Sequence, residues 1–150
     1  GNKRKYPDQI LKREVDKYMQ VVKDRRACGE LDHPDDSVVN LKNASHLVTD
    51  LWWDGDVLMG KIKVLSTPSG MTLRALVNDG VKIGISSRGL GSVRQMSGHV
   101  IVQDDFQLIC FDVVSDPSTP MAYMDQVVYE SRLTRPVNRI TNILDDILGE

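Results

Sequence analysis

The sequence predicts an α+β fold, a mainly antiparallel sheet or barrel of about six strands flanked by about three helices. Three observations lead there. Apolar residues recur at helical spacing near the N-terminus and again near the C-terminus. Between about residues 45 and 115, short apolar runs alternate with Gly, Asp and Pro turn signals. No repeat or low-complexity tract interrupts the chain, so its 150 residues read as one domain (1–150), long enough to bury a sizeable core.

Each element follows from local pattern. Pro7 suits a first helical position, and Leu11, Val15, Tyr18 and Val22 continue at helical spacing, so a helix is expected over 7–24. Residues 25–44, with Gly29, Pro34, Asp35, Asp36, Asn40 and Asn43, read as loop. Two strands are expected over 46–53 and 57–65, joined by the hairpin signal Asp54-Gly55-Asp56. Thr67-Pro68-Ser69-Gly70 reads as a turn, followed by a short helix over 71–78 that stops at Gly80. Further strands are expected over 81–87, 93–96, 99–102 and 106–114, the last ended by Ser115-Asp116-Pro117-Ser118. A final helix over about 138–149 would align Ile140, Ile143, Leu144, Ile147 and Leu148.

Composition narrows the class. Hydrophobic residues at 41% and charged residues at 27% are those of an ordinary globular chain, and a formal net charge of −2 offers no basic field for nucleic acid or a membrane surface. No apolar run is long enough to span a bilayer. Cys28 and Cys110 form neither a disulfide framework nor a zinc spacing, and are expected as reduced thiols in a cytosolic setting. No signal peptide is visible, and a chain opening at Gly1 is compatible with trimming.

Chemistry concentrates at Gly84-Ile85-Ser86-Ser87-Arg88-Gly89-Leu90, where two hydroxyls end an apolar run beside a glycine-bracketed turn. A nucleophilic serine needs a rigid approach and close backbone access. In an extended segment Val81, Ile83, Ile85 and Ser87 share one face, while Lys82, Gly84 and Ser86 share the other. The first face is apolar, so Ser86 is the expected nucleophile and Ser87 a supporting residue. Gly89 and Gly91 would let the turn aim backbone N–H groups, those of Arg88 and Gly89, at a developing oxyanion. Taken alone, such a segment is more often an ordinary tight turn, and it lacks the glycine and lysine spacing of a phosphate loop.

Serine requires a base, and an imidazole requires an orienting acceptor. His33 precedes Pro34 in the long loop, His46 opens a strand and His99 lies between Gly98 and Val100. Pattern leaves all three open, including a second histidine in the third catalytic position. Among acids, Asp112 stands within the apolar run Leu108-Ile109-Cys110-Phe111-Asp112-Val113-Val114, where an unpartnered carboxylate costs several kcal/mol. An imidazole N–H or strand-end backbone amides would compensate it equally well. Asp32 is a poorer candidate, because adjacent side chains on a chain seldom face one another.

Four segments together, Gly29-Glu30-Leu31-Asp32-His33-Pro34, Leu51-Trp52-Trp53, Gly84-Ile85-Ser86-Ser87-Arg88-Gly89-Leu90-Gly91-Ser92 and Asp112-Val113-Val114-Ser115-Asp116-Pro117-Ser118, resemble the prohead (procapsid) core proteases of tailed bacteriophages. The likeness runs in order from Asn2 to about Ala122 and includes Asn2-Lys3-Arg4-Lys5-Tyr6-Pro7. That family is similar in fold to the herpesvirus assemblins, serine proteases with a β-barrel unrelated to chymotrypsin. The resemblance implies a triad of His33, Ser86 and Asp112, the last where assemblins carry a second histidine. Asp32 stands where related proteins can carry asparagine.

What the resemblance implies about function is specific. A member of this family works inside the phage prohead, assembled in the bacterial host cytoplasm, and cleaves scaffold and capsid proteins and itself. It cuts after Glu in Leu/Ile/Ala-x-Glu motifs, without metal or cofactor. The terminal Leu148-Gly149-Glu150 fits that rule and is expected to be a self-processing terminus. Recognition of Glu requires a cationic subsite, for which Lys82, Arg88 and Arg94 are near in sequence. Self-association through apolar residues of the terminal helices is also expected. Two rival readings are a non-catalytic capsid or tube assembly module of the same fold, and a metal hydrolase using His33, His46 and His99.

Overall fold

In the computed structural model, residues 3–5, 8–96, 99–117, 124–128 and 134–140 are described. The first large element is helix α1, Asp8–Lys23. The stripe at helical spacing is its buried face: Leu11, Val15 and Tyr18 are at most 3% exposed, and Val22 packs at their margin. Glu14 lies on the same face. Its carboxylate accepts the Leu108 amide at 3.0 Å and pairs with Arg13 and Lys17, tying the helix to a strand that later carries part of the site. No helix among the described residues is long and apolar enough to cross a membrane.

Three sheets follow. Strands β1 (Lys3–Lys5), β7 (His99–Val102) and β6 (Val93–Met96) form one, with β1 parallel to β7. Strands β2 (Cys28–Glu30), β3 (Ala44–Asp54), β4 (Val57–Val64), β10 (Thr134–Ile140) and β9 (Met124–Val128) form an antiparallel sheet in the order β2-β3-β4-β10-β9. Strands β5 (Gly84–Leu90) and β8 (Gln107–Val114) pair antiparallel by themselves. Among the described residues these sheets do not close into a barrel. Their shared core contains Leu47, Val48, Leu58, Ile62, Leu73, Ile85, Phe111 and Val113, with Tyr18 meeting Phe111 edge-on at 5.4 Å.

The expected 54–56 hairpin is present, with Asp54 opposite Val57 and Gly55 at φ +61°. The second helix differs at its start. α2 runs Pro68–Asn78, so Pro68, Ser69 and Gly70 form its first turn rather than a free turn. Thr67 is the cap: its hydroxyl accepts the Gly70 amide, and Pro68 takes the first position, where no intrahelical donor is needed. Gly80, at φ +79°, follows the helix as expected.

Other expectations need correction, among them the count of about six strands and about three helices, since the described residues hold ten strands and two α-helices. Residues 25–44 are not wholly loop, because Cys28–Glu30 forms β2 against β3 and Leu41–Asn43 is a short 3-10 turn. The strand expected from 81 begins at Gly84 and continues to Leu90, so Ser86 and Ser87 lie within a paired strand, not at its end. The helix expected from about 138 cannot begin there, since Asn138, Arg139 and Ile140 complete β10. Val137 to Ile140 pair with Lys61 to Leu58, giving the outer edge of β4 the ladder partners it would otherwise lack. Residues 141–150, the rest of that helix, lie outside the described residues.

Candidate active site

Strand pairing of β5 with β8 positions the serine and the acid. Ser86 stands directly opposite Asp112, Ile85 opposite Val113 and Ser87 opposite Phe111. Opposed residues in an antiparallel pair project to the same side. Ser86 therefore shares Asp112's face, whereas Ser87 shares that of the core residues Ile85, Phe111 and Val113. Both hydroxyl residues are half-buried. Two residues beyond Ser86 on its face is Arg88, which is buried. The register breaks between Arg88 and Gly89, with Ile109 as the extra residue on β8. Gly89 and Gly91 also have a packing reason: a β-carbon on Gly89 would lie 2.4 Å from the Phe106 ring, and one on Gly91 2.8 Å from the Phe106 Cα.

The histidine arrives from the segment after β2. Leu31 bridges Val113 in parallel, and the Asp32 amide donates to the Val113 carbonyl at 2.7 Å. Asp32 adopts φ +62°, a left-handed conformation that Asp and Asn tolerate better than other non-glycine residues. That turn delivers His33, whose Nδ1 lies 2.9 Å from Asp112 Oδ2. Gly29 allows β2 to approach this closely. A β-carbon there would fall 2.1 Å from the Phe111 carbonyl oxygen and 2.3 Å from His46 Nε2.

Asp112 has no solvent exposure, yet it is well compensated. Oδ1 accepts the Glu30 amide at 3.0 Å, Arg88 Nη2 at 3.1 Å and the Cys110 thiol at 3.4 Å. Oδ2 faces His33 Nδ1 and lies 2.9 Å from Arg88 Nε. Burial pushes the carboxyl pKa up, but the His33 hydrogen bond, the Glu30 amide and Arg88 together hold it below the usual carboxylate value. An ionised carboxylate only accepts, so the Nδ1 of His33 carries a proton, and in the neutral imidazole Nε2 keeps its lone pair.

Arg88 and Glu30 are site residues whose side-chain roles the sequence reading missed. Arg88 Nη2 also donates to Glu30 Oε2 at 2.9 Å, and Nη1 donates to the carbonyls of Asp36 and Val38. The same Glu30 oxygen accepts the Asn40 amide. Arg88's guanidinium is thus taken up inside the protein, which removes it from the candidate cationic subsite. The available signal was spacing: Arg88 follows Ser86 by two, the period that keeps two side chains on one strand face.

His46 is likewise placed by the fold. Its Nε2 donates to the Phe111 carbonyl at 2.8 Å, its Nδ1 accepts from the Ser45 hydroxyl at 2.7 Å, and the residue has no exposure. With both nitrogens engaged in the core it cannot serve a three-histidine metal centre. Among the described residues no cluster of His, Cys, Asp and Glu could hold a metal ion. The His99 side chain lies outside the described set.

Burial lowers the His46 pKa from the ordinary 6.5, with only partial opposition from the Phe111 hydrogen bond. A depressed imidazole contributes stability that is full above the unfolded value and declines as pH falls below it, because the unfolded chain then binds the extra proton. The urea midpoint should therefore drop between about pH 7.5 and pH 5.5. In His46→Gln the drop over the same interval should be smaller. Equal slopes would show that His46 does not carry the effect.

The comparisons with known proteins agree with this architecture. The family model described as prohead core protein serine protease matches residues 1–133. This chain belongs to that family. Over 128 residues it is 37% identical to the prohead core protein protease of Enterobacteria phage T4, covering 82% of this chain and 60% of that protein. The chain thus spans somewhat less than two thirds of that relative's length. Among solved structures it matches the bacteriophage T4 capsid assembly protease with a TM-score of 0.73 and 35% identity, covering 77% of this chain and 74% of the other.

Proposed function

We propose that this chain is a serine endopeptidase of prohead maturation, with Ser86 as nucleophile, His33 as general base and Asp112 as the orienting carboxylate. The observation that carries the reading is the 2.9 Å contact between His33 Nδ1 and a fully buried carboxylate directly across the strand pair from Ser86. With Nδ1 committed to Asp112, Nε2 is the atom that takes the Ser86 proton. Ser86 Oγ then attacks the scissile carbonyl carbon, and Asp112 stabilises the resulting imidazolium. His33 returns the proton to the leaving amine, and water repeats the cycle on the acyl-enzyme. Backbone N–H groups of Arg88 and Gly89, at the register break, are assigned to the oxyanion, and Ser87 supports them.

The substrates assigned are scaffold and capsid proteins within the prohead, and the chain itself, cut after Glu in Leu/Ile/Ala-x-Glu. The glutamate subsite is assigned to Lys82 and Arg94, the other basic residues near Ser86 in sequence. A scaffold-derived peptide containing Leu-x-Glu should be cleaved after Glu, while its Leu-x-Gln counterpart is cleaved at least about tenfold more slowly, since loss of one charge-assisted contact is worth about 1.5–3 kcal/mol. Equal rates would remove the charge-reading subsite. The competing assembly module predicts no turnover of either peptide in any oligomeric state.

A further inference from the structure

The buried polar cluster holds two carboxylates, Glu30 and Asp112, against one guanidinium, Arg88. Other titratable groups reach it from every packed element. Tyr18 on α1 and Cys110 on β8 are held neutral by burial, Cys110 with its pKa pushed up to about 12. His46 on β3 is neutral for the same reason. Asp32, Asp35 and Asp36 flank His33 in the loop, but all three are exposed to water, which screens them. The fixed charges of the buried cluster therefore leave one unit of negative charge.

The same guanidinium is also a mechanical link. It joins Glu30 on β2, Asp112 on β8 and the carbonyls of Asp36 and Val38, three and five residues beyond His33. A planar fork with donors on two terminal nitrogens can make all these contacts at once, which a lysine ammonium cannot.

We propose that Arg88 is the charge-balancing and positioning residue of this site: it cancels Glu30, ties the His33 loop to β5, and leaves Asp112 one unmatched negative charge for the imidazolium formed on His33. The catalytic consequence rests on the peptidase reading above, but the charge balance does not. Without the guanidinium, two carboxylates would favour the protonated form of His33, which cannot accept the Ser86 proton. Without Glu30, the cluster would be neutral and the imidazolium less favoured.

The test is the titration of His33 by NMR, its ring signal assigned from His33→Ala, in wild type, Glu30→Gln, Arg88→Met and the double variant. The midpoint should fall by about one pH unit in Glu30→Gln and rise by about one unit in Arg88→Met. In the double variant, which restores one negative charge, it should return close to wild type. Should Arg88→Met fail to fold, Glu30→Gln and the double variant carry the test. Midpoints that do not move, or a double variant displaced from wild type as far as a single one, overturn the proposal. Arg88→Lys should keep a near-wild-type midpoint while kcat drops with little change in KM, because charge is retained and the loop is untied. An unchanged kcat would overturn the positioning part. If wild type shows no peptide turnover that Ser86→Ala abolishes, the peptidase reading fails, and the order of midpoints still decides the charge balance.

Discussion

Ser86→Ala should lower kcat on a Leu-x-Glu peptide by about 10⁶-fold, the scale seen when a triad nucleophile is removed. The reason is local. Ser86 is the hydroxyl residue on the face of Asp112, and alanine leaves Nε2 of His33 with no proton to take. The fold should hardly notice. Ser86 is half-buried and no large group depends on it, so a shift in Tm within about 2 °C is expected. A nucleophile and its base act as one unit, so the Ser86→Ala/His33→Ala double variant should be no slower than Ser86→Ala alone. Burst kinetics and intact-mass detection of an acyl-enzyme check the same point independently. If Ser86→Ala costs less than about tenfold, or if Ser87→Ala costs more than Ser86→Ala, the nucleophile is misassigned.

Much of the scaffold around that serine could be read from residues close together in sequence. Leu11, Val15 and Tyr18 repeat with the helical period, so α1 and its buried face are evident without knowing their partner. The β3–β4 hairpin is equally local, since Asp54-Gly55-Asp56 both turns the chain and sets the register. Asp112 was conspicuous because a carboxylate within an apolar strand needs compensation. What compensates it was not legible in full. His33 was one of three histidines, and only packing shows that His46 is consumed by the Phe111 carbonyl.

The misread parts depend on distant strands. Residues 28–30 form β2 because β3 offers an edge, although Gly29 alone signals loop. Thr134–Ile140 becomes a strand because it lies between β4 and β9, and local helical spacing from Ile140 onward says nothing of that. Arg88 and Glu30 were missed for a similar reason. Charged residues in strands usually face water, and their burial here is possible only because each neutralises another across the fold.

The second large effect follows from the donors around Asp112. Asp112→Asn should reduce kcat by about 10⁴-fold with KM little changed, although the side chain is nearly isosteric. Every neighbour of this carboxylate offers a hydrogen: the Glu30 amide, Arg88 Nη2 and the Cys110 thiol at Oδ1, and His33 Nδ1 and Arg88 Nε at Oδ2. An asparagine must point its NH₂ group at one of these two sets. Turned toward Oδ1, it opposes the Glu30 amide and Arg88 and strains the packing that holds β2 on β8. Turned toward Oδ2, it forces His33 to accept at Nδ1, which moves the ring proton to Nε2 and blocks the base. The second orientation sacrifices two contacts, His33 Nδ1 and Arg88 Nε, and the first three, so the blocked tautomer should dominate. NMR chemical shifts of the His33 ring nitrogens should show that change from Nδ1–H to Nε2–H. If the variant keeps the Nδ1–H form and activity within about tenfold of wild type, Asp112 does not orient the base.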